Sequence, residues 1–389
     1  MASDEMLVVI FLRGGSDGLN LIGPSADAVY RTERRPETRV ERDGDNPGLV
    51  LKNTLADVDF RFHYKAQPLK DLYDAGHLGI IHACGLTNGT RSHFDATDFM
   101  ERGTPENKNT SSGWLSRFVA TQQWSGPIPT ISTSNSLPIS LLAAHDAIAV
   151  PNAKKMQLQG DARFQILRES LLKDAYTGHT PVMENGARSL GVLDIFAQRL
   201  PKDDHGHVID YTPAANANYP TDGYTGELTN SLKTIAQIAK MDVGLHVATA
   251  DYGGWDTHIS QNGRFPNLVD TLSRSLAAFW RDMEPFQDRL TVVVMSEFGR
   301  RLKSNDSGGT DHGHGNAMLV LGGHVNGGNI YGVWPGLATE QLDNQVDLAV
   351  TTDYRTVLSE ITAKRFGLAH SESVFPGFTS FKPLGIMKA

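Results

Sequence analysis

The sequence predicts an α/β fold, in which helices cover both faces of a mostly parallel central sheet. Continuous apolar runs at residues 7–12, 78–84 and 291–295 are typical of strands that are buried on both faces. Amphipathic helical patterns, for example at residues 226–240 and 267–283, lie between such runs along the chain. Strands that alternate with helices over most of a chain indicate a largely parallel sheet.

The same patterns assign elements along nearly the whole chain. Strands are predicted at residues 7–12, 78–84, 128–133, 147–150, 245–249, 291–295 and 317–321. Helices are predicted at residues 69–75, 92–102, 162–173, 186–200, 226–240, 267–283 and 353–366. Ser92 is a suitable N-cap for the second helix, and Asp353 or Thr352 for the last. We expect a single domain over residues 1–389, in which residues 135–225 form an insertion or cap.

Composition limits the partners that this chain can have. Of its 389 residues, 40% are hydrophobic and 21% are charged, as in ordinary globular proteins. The formal charge is −8, which argues against nucleic acid or an anionic membrane as the main partner, because both require a basic surface. No apolar run approaches the ~20 residues that span a bilayer, so we expect no membrane insertion. No signal peptide is visible, and the single cysteine, Cys84, excludes an internal disulfide.

Two polar clusters lie at the ends of predicted strands and suggest a metal site. Asp256 and His258 come after the strand at 245–249, and His312 and His314 come directly before the strand at 317–321. Residues two apart in extended chain point the same way, so each pair could reach one ion. For Asp256 and His258, a pair in a solvated loop is an equal alternative. A His-Gly-His before a buried strand is hard to explain by packing, although only one of the two histidines need be a ligand.

Two further acids end buried strands. Asp17 follows the first strand, where it is either a turn residue beside glycines or a metal ligand. Glu297 follows the strand at 291–295 and requires a partner if it is buried. That partner is either an arginine, Arg300 or Arg301, or a metal ion.

Ser92 and His93 begin the helix after the second strand. A serine there is by default an N-cap, but the positive end of a helix also suits an alkoxide that attacks phosphorus or sulfur. His93 or His314 could then transfer a proton, while Arg91 and Arg300 hold the oxygens of the transferred group.

Six sequence motifs carry a family resemblance. They are FLRGGSDGLN at 11–20, SHFDA at 92–96, MERG at 100–103, GWDTH at 254–258, SEFGR at 296–300 and DHGHG at 311–315. In this order they resemble the DUF1501 family, within the alkaline phosphatase, sulfatase and cofactor-independent phosphoglycerate mutase superfamily. The resemblance implies an alkaline-phosphatase-like fold and a two-metal site beside a Ser, Thr or formylglycine nucleophile.

Carried over to this chain, the resemblance makes Ser92 the nucleophile and several acids and histidines the metal ligands. These ligands are Asp17, Asp256, His258, Glu297, and His312 or His314. The chain departs from the superfamily at Phe298, where a histidine is common, so one metal position is weakened and the site could hold one ion or two. Zinc, manganese and calcium all remain open. No Cys-x-Pro-x-Arg signature is present, which disfavours a typical sulfatase mechanism.

The resulting hypothesis is a metal-dependent hydrolase of phosphate or sulfate esters, which acts on a small anionic ester or on a sulfated or phosphorylated sugar. The nucleophile is Ser92 or, if Ser92 is only a cap, a metal-bound hydroxide held by Asp256, His258 and His312. The alternative is a non-catalytic or carbohydrate-binding protein of the same fold with a degenerate site. A metal-free serine hydrolase is disfavoured, because no Gly-x-Ser-x-Gly sequence is present. The family resemblance further implies twin-arginine export and a periplasmic mature form.

Overall fold

The computed structural model describes residues 4–53, 55–158, 160–222, 226–379 and 381–388. The strands are β1 (Met6–Leu12), β2 (Ile22–Pro24), β3 (Leu49–Val50), β4 (Phe60–Phe62), β5 (Leu78–Gly85), β6 (Thr130–Ser132), β7 (Ala147–Ala149), β8 (Val247–Tyr252), β9 (Leu290–Met295), β10 (Arg300–Ser304), β11 (Thr310–His312), β12 (Asn316–Gly322), β13 (Ile330–Tyr331) and β14 (Thr352–Asp353).

The α-helices are α1 (Gly18–Leu21), α2 (Ala28–Glu33), α3 (Gln67–Asp74), α4 (His93–Arg102), α5 (Trp114–Ala120), α6 (Gln165–Ala175), α7 (Pro181–Arg199), α8 (Gly226–Lys240), α9 (Gln261–Asp282) and α10 (Tyr354–Phe366). Short 3-10 helices cover Pro36–Thr38, Leu55–Asp57, Ile139–Leu141, Ala153–Lys155, Ala162–Phe164, Glu284–Arg289, Thr339–Gln341 and Ser371–Ser373.

The central sheet is mostly parallel, as predicted. Over the described ranges its strand order is β13-β5-β12-β9-β1-β8-β6-β7, and β14 also pairs with β5. Strand β12 alone among these runs antiparallel to both of its neighbours. The carboxyl ends of β1, β5, β8 and β9 therefore lie at one edge of the sheet, where β12 begins. Ligand sites in open α/β sheets gather at this edge.

Helices cover both faces of the sheet, which confirms the predicted fold class. Alternate residues of β1 enter two separate hydrophobic cores, because successive side chains of a strand point to opposite faces. Val8 and Ile10 pack into the core that includes residues of α3, α7, α8 and α9. Val9 and Phe11 pack into the core that includes residues of α4, α5 and α10. Within the described residues, no helix is long and apolar enough to cross a membrane.

Most predicted elements are present with shifted ends. Strand β8 extends to Tyr252 and so includes Asp251, whereas the sequence predicted an end at residue 249. Helix α7 begins at Pro181, capped by Thr180, five residues before its predicted start. The predicted loop after β9 contains a short antiparallel hairpin, β10 and β11, which the polar sequence did not indicate. Strand β7 belongs to the central sheet although it lies inside the predicted insertion, and the domain division itself stays a prediction.

Candidate metal centre

Three histidines and one aspartate converge at the carboxyl edge of the sheet. His93 is the first residue of α4, in the segment after β5. Asp256 and His258 lie in the loop between β8 and α9, and His312 is the last residue of β11. Three separate parts of the chain thus bring three nitrogens and one oxygen to a common point.

Asp256 Oδ1 is the centre of this group. It lies 3.0 Å from His258 Nε2, 3.2 Å from His312 Nε2 and 3.5 Å from His93 Nε2. The Nε2 atoms of His258 and His312 are 2.9 Å apart. The ligand atoms of His93, Asp256 and His312 all lie within 4.8 Å of one another, a spacing that could hold a metal ion. We call these four residues the His/Asp cluster.

Each imidazole of the cluster is oriented by an acceptor on its other nitrogen. His93 Nδ1 lies 2.8 Å from Glu297 Oε1, and His258 Nδ1 lies 3.0 Å from Asp311 Oδ1. His312 Nδ1 lies 2.8 Å from the backbone carbonyl of Arg91. Carboxylates and carbonyls only accept hydrogen bonds, so each Nδ1 carries the proton in the neutral ring. Each Nε2 is then left without a proton and lies within 3.5 Å of Asp256 Oδ1, which is the arrangement of metal-bound histidines with outer partners.

The charges around the cluster favour ionised carboxylates. Burial raises the pKa of Asp256, but the hydrogen bond and charge of Arg300 outweigh it and lower the pKa to about 2. Burial likewise opposes ionisation of Glu297, yet the hydrogen bonds from His93 and backbone amides lower its pKa. The hydrogen bond to Glu297 raises the pKa of His93, whereas burial lowers the pKa of His312. The two ionised acids attract a cation, and the lowered pKa of His312 favours the neutral ring that can bind one.

One buried atom has no partner unless a cation occupies the cluster. His93 Nε2 is inaccessible to solvent and makes no hydrogen bond to any described residue, since its 3.5 Å approach to Asp256 is too long. A buried nitrogen without a partner is costly. Three nitrogens and one carboxylate oxygen are a donor set that zinc-like ions prefer, so the residues present fit a divalent metal.

Phe298, which cannot be a ligand, holds two of the imidazoles. Its ring centre lies 4.8 Å from that of His93 and 4.9 Å from that of His312. The ring is buried against Gly15, where a Cβ would lie 2.3 Å from the phenyl carbon Cε2. Gly15 also has a φ of +62°, which favours glycine. Phe298, at which the sequence departs from the superfamily motif, therefore packs against two histidines of the cluster and helps to position them.

Arg300 is occupied by the protein and lies beneath the cluster. Its Nη2 donates to Asp256 Oδ1 at 2.7 Å and to the carbonyls of Gly14 and Trp255. Its Nε and Nη1 donate to the carbonyls of Gly15 and Thr310. The side chain is buried. The structure thus gives Arg300 the role of fixing Asp256, and its donors are not available for the oxygens of a substrate.

Ser92 is the N-cap of α4. Its Oγ accepts a hydrogen bond from the amide of Asp95 at 3.4 Å, as the default interpretation predicted. Among the described residues, no histidine or carboxylate is hydrogen-bonded to this hydroxyl. Ser92 lies next to His93 and hence beside the cluster, but the structure shows no base that would activate it.

The structure does not bring Asp17 to the cluster. Asp17 is fully buried and pairs with the equally buried Arg34 at 2.6 Å. It also accepts hydrogen bonds from Gln261 at 2.7 Å and from the amide of Asn20 at 3.1 Å. Its carboxylate is therefore satisfied by protein groups. The sequence did not indicate that Arg34 is the partner of Asp17, because Arg34 lies 17 residues further along the chain, in a stretch rich in arginine that is typical of a protein surface.

His314 also lies outside the cluster. It is buried between Asp343 Oδ2, 2.9 Å from its Nδ1, and the carbonyl of Leu86, 2.8 Å from its Nε2. Both ring nitrogens are thus used by the protein. Of the two histidines left open by the sequence, His312 is the one that the structure brings to the cluster. No sequence signal pointed to Asp343 as the partner of His314.

Comparisons with known proteins identify one family. A family model described as "Protein of unknown function (DUF1501)" matches residues 84–376, which is about three quarters of the chain. A search of curated proteins finds no match.

Several solved structures are similar in outline. The zinc complex of the C-terminal periplasmic domain of EcEptC from Escherichia coli shares 9% identity, with 83% of this chain and 73% of that chain covered, at a TM-score of 0.38. The phosphonate monoester hydrolase SpPMH from Silicibacter pomeroyi shares 9% identity, covering 84% and 69%, at a TM-score of 0.36. Alkaline phosphatase from the Antarctic bacterium TAB5 shares 10% identity, covering 82% and 90%, at a TM-score of 0.32. At these values the similarity carries no inference about activity.

Proposed function

The chain belongs to the DUF1501 family, a family of unknown function, and we propose that it is a metal-dependent hydrolase of small phosphate or sulfate esters. One observation carries the proposal. Three Nε2 atoms and Asp256 Oδ1 converge, and the Nδ1 atom of every histidine faces an acceptor that fixes the neutral tautomer. Such outer acceptors are typical of metal-binding histidines, and here they leave the Nε2 atom of each ring for the shared point.

The donor set narrows the choice of ion. Imidazole suits zinc and other transition metals, whereas calcium takes oxygen ligands almost exclusively. His93, His258 and His312 supply three nitrogens, and Asp256 supplies one oxygen. We therefore propose one zinc- or manganese-like ion and set aside calcium and a second ion, because Asp17 and His314 are satisfied by other groups.

A divalent ion held there would polarise the ester and lower the pKa of an attacking water. The residues of the chain perform the remaining tasks. Arg300 keeps Asp256 ionised and in place, and Phe298 fixes the planes of His93 and His312. Asp256 is 47% exposed, so its carboxylate is accessible to a water molecule and can accept a hydrogen bond from it.

Water suits this site better as the nucleophile than Ser92. The Ser92 hydroxyl already caps α4, and no base among the described residues contacts it. Catalysis by Ser92 stays a prediction, and a Ser92→Ala variant tests it through loss of a covalent intermediate. The N-terminus of α4 would still assist, because its positive end lies beside the cluster and stabilises a nearby anion.

The anionic ester also needs a cationic partner. Arg91 is paired with Asp343 and Asp347, and Arg300 is buried, so neither is free for this task. Arg264 on α9 is exposed and has no hydrogen bond or ion pair within the described ranges. Its Nη2 lies 3.6 Å from the position that a Cβ on Gly254 would take, two residues before Asp256. We assign the binding of ester oxygens to Arg264.

A non-catalytic metal-binding or carbohydrate-binding role is the second candidate. The observation that favours it is the pairing of Arg91 and Arg300 with protein groups, because both had been expected to hold substrate oxygens. Periplasmic localisation after twin-arginine export, and the role of residues 135–225 as a cap, remain predictions.

The test is the metal content and esterase activity of protein purified without chelator. We expect about one equivalent of a zinc- or manganese-like ion, together with hydrolysis of 4-nitrophenyl phosphate or 4-nitrophenyl sulfate. Both should disappear in a His258→Ala/His312→Ala variant. The matched control is His205→Ala/His207→Ala, which removes two exposed histidines outside the cluster and should change neither quantity.

The outcomes separate the two candidates. Metal that is bound by the wild type and lost only in the cluster variant, but without turnover of either ester, would favour the non-catalytic role. A wild-type protein that takes up none of the divalent ions tested would overturn the hydrolase proposal.

A further inference from the structure

A polar cavity of about 520 Å³ opens at the same edge of the sheet as the His/Asp cluster. Its volume is in the range of small-molecule sites, roughly 300–1,000 Å³. The polar side chains that line it come from the segment after β6, from α8 and from the end of β8. They include Ser134, Asn135, Ser136, Glu227, Asn230 and Asp251.

Two series of contacts connect the lining of the cavity to the cluster. Asp251 Oδ1 lies 2.7 Å from Arg13 Nη2, and the amide of the next residue, Gly14, donates to Glu297 Oε1 at 2.8 Å. Glu297 in turn orients His93. On the other wall, Glu227 accepts a hydrogen bond at 3.1 Å from the amide of Gly253, in the loop that carries Asp256. A molecule in the cavity therefore lies a few residues from the cluster along two parts of the chain.

An exposed aromatic ring lies beside the cluster. The side chain of Phe94 is 88% exposed in the first turn of α4, next to His93. Residues seven apart lie on one helix face, so Phe94 is on the same side of α4 as Glu101, two turns and roughly 10 Å further along. The Glu101 carboxylate binds Arg13 at 2.5 Å, and Arg13 also binds Asp251 in the cavity lining. Phe94 therefore offers an aromatic surface to a molecule that extends from the cluster.

The chemistry of the cavity suits neutral hydroxyl groups. Its side chains offer hydroxyls, amides and two carboxylates, which together donate to and accept from alcohols. The nearest guanidinium, on Arg13, is already paired with Asp251 and Glu101, so it is not free for an anion. Glu227 and Asp251 would repel a second anionic group, whereas the ring of Phe94 can pack against the apolar face of a sugar ring.

We infer that the alcohol portion of the ester is a sugar or a similar polyol, which the cavity binds while the ester group lies at the His/Asp cluster. This inference rests on the proposed hydrolase function and specifies its substrate class. The cavity contributes binding and Phe94 a stacking surface, and neither takes part in the bond cleavage.

The test compares two esters that share the scissile group, a hexose 6-sulfate and 4-nitrophenyl sulfate, together with the corresponding phosphates. A sugar alcohol is a poorer leaving group than 4-nitrophenol. In the wild type we therefore expect kcat/KM for the sugar ester, relative to the aryl ester, to exceed the value that this difference in leaving group alone would give. In an Asn135→Ala/Asn230→Ala variant, the ratio of sugar to aryl kcat/KM should fall about tenfold or more, because two hydrogen bonds to the sugar are lost. Phe94→Ala should lower the ratio as well. Ile259→Ala is its matched control, since Ile259 is 72% exposed beside His258, and should leave the ratio unchanged.

A binding measurement separates this inference from the hydrolase proposal. Calorimetric titration of chelator-treated protein with hexose 6-sulfate requires no turnover, and we expect binding that the Asn135→Ala/Asn230→Ala variant weakens about tenfold. If aryl esters are hydrolysed but the ratio and the sugar affinity do not respond to the cavity variants, the inference fails and the hydrolase stands. If no ester is hydrolysed but the sugar binds in the cavity, the hydrolase proposal fails and the sugar site stands. Neither binding nor turnover would overturn both.

Discussion

The tripeptide His-Gly-His occurs twice in this chain, at 205–207 and at 312–314, in different surroundings. His205 and His207 are exposed in a loop, where His207 is 79% exposed and its ring lies 3.4 Å from Asp203 and 6.4 Å, centre to centre, from the ring of His205. His312 meets three other ligand atoms at the edge of the sheet, and His314 is buried between two protein acceptors. Identical spacing therefore produces a solvated pair in one place, and one cluster member beside one structural histidine in the other.

The difference shows that convergence, and not the motif, defines the candidate site. A histidine offers a ligand only if its Nε2 meets other donors and its Nδ1 is held by an acceptor. His312 meets both conditions, through His258 and Asp256 on one nitrogen and the carbonyl of Arg91 on the other. In the exposed loop at 205–207, Asp203 approaches the Nδ1 atom of His207 at 3.4 Å, but neither histidine belongs to a group of potential metal ligands among the described residues.

The difference between the two motifs is tested most directly by removing one histidine from each. We expect His312→Ala to weaken zinc binding at least ~100-fold, because even outer partners of a metal ligand contribute 10- to 100-fold. His207→Ala, the matched control, should leave the affinity unchanged. Competition with a chromogenic chelator measures both. Equal affinities in the two variants would contradict the assignment of His312 to the cluster.

The two histidines of 312–314 should also differ from each other. His314→Ala leaves the buried carbonyl of Leu86 without its partner, so we expect the free energy of unfolding to fall by ~1–3 kcal/mol while zinc is still bound. His312→Ala should show the reverse, with metal lost and a smaller change in the stability of the metal-free protein. Urea unfolding of chelator-treated samples gives the first quantity and metal analysis the second. If the His314→Ala variant loses the metal, His314 is a metal ligand and not only a structural residue.

The fold could be predicted where burial on both faces imposes a signature on the sequence. Strands β1, β5 and β9 lie at the centre of the sheet, so nearly every residue is apolar and the run is visible. The hairpin of β10 and β11 was missed because its residues alternate between buried and exposed over only a few positions. The end of β8 was misplaced because Asp251 is a charged residue in a strand, compensated there by Arg13.

The candidate site could be predicted only in part, for a similar reason. Position at strand ends singled out Asp256 and His258, which follow one predicted strand, and His312, which precedes another. Spacing could not separate His314 from His312, because the distinction depends on Asp343, which lies 29 residues away. Asp17 posed the same problem, since its partner Arg34 is identified only by the folded chain. Partners that are distant in sequence decide which polar residues remain available for a ligand.

The last prediction concerns a buried histidine outside the cluster, and its expected change in the free energy of unfolding is the smallest. His63 packs between Tyr64 and Phe265, and burial lowers its pKa to about 3, with Lys65 adding to the shift and Asp17 opposing it. In the unfolded chain its pKa is ~6.5, so the unfolded state binds more protons as the pH falls below that value. The stability that neutral His63 gives the fold is therefore present above the unfolded pKa. It should decline by ~0.7 kcal/mol between pH 7 and pH 6.

Urea unfolding of metal-free protein at these two pH values measures that decline. We expect His63→Gln to remove this share of the pH dependence, whereas His207→Gln, which changes an exposed histidine, should leave it intact. An identical slope in wild type and His63→Gln would mean that His63 has the same pKa in the folded and the unfolded protein, against its surroundings. If the slope does change, burial lowers a histidine pKa without any other ligand nearby. A lowered pKa is then a property of packing, and only the meeting of His312 with His93, His258 and Asp256 distinguishes a metal centre from a buried ring.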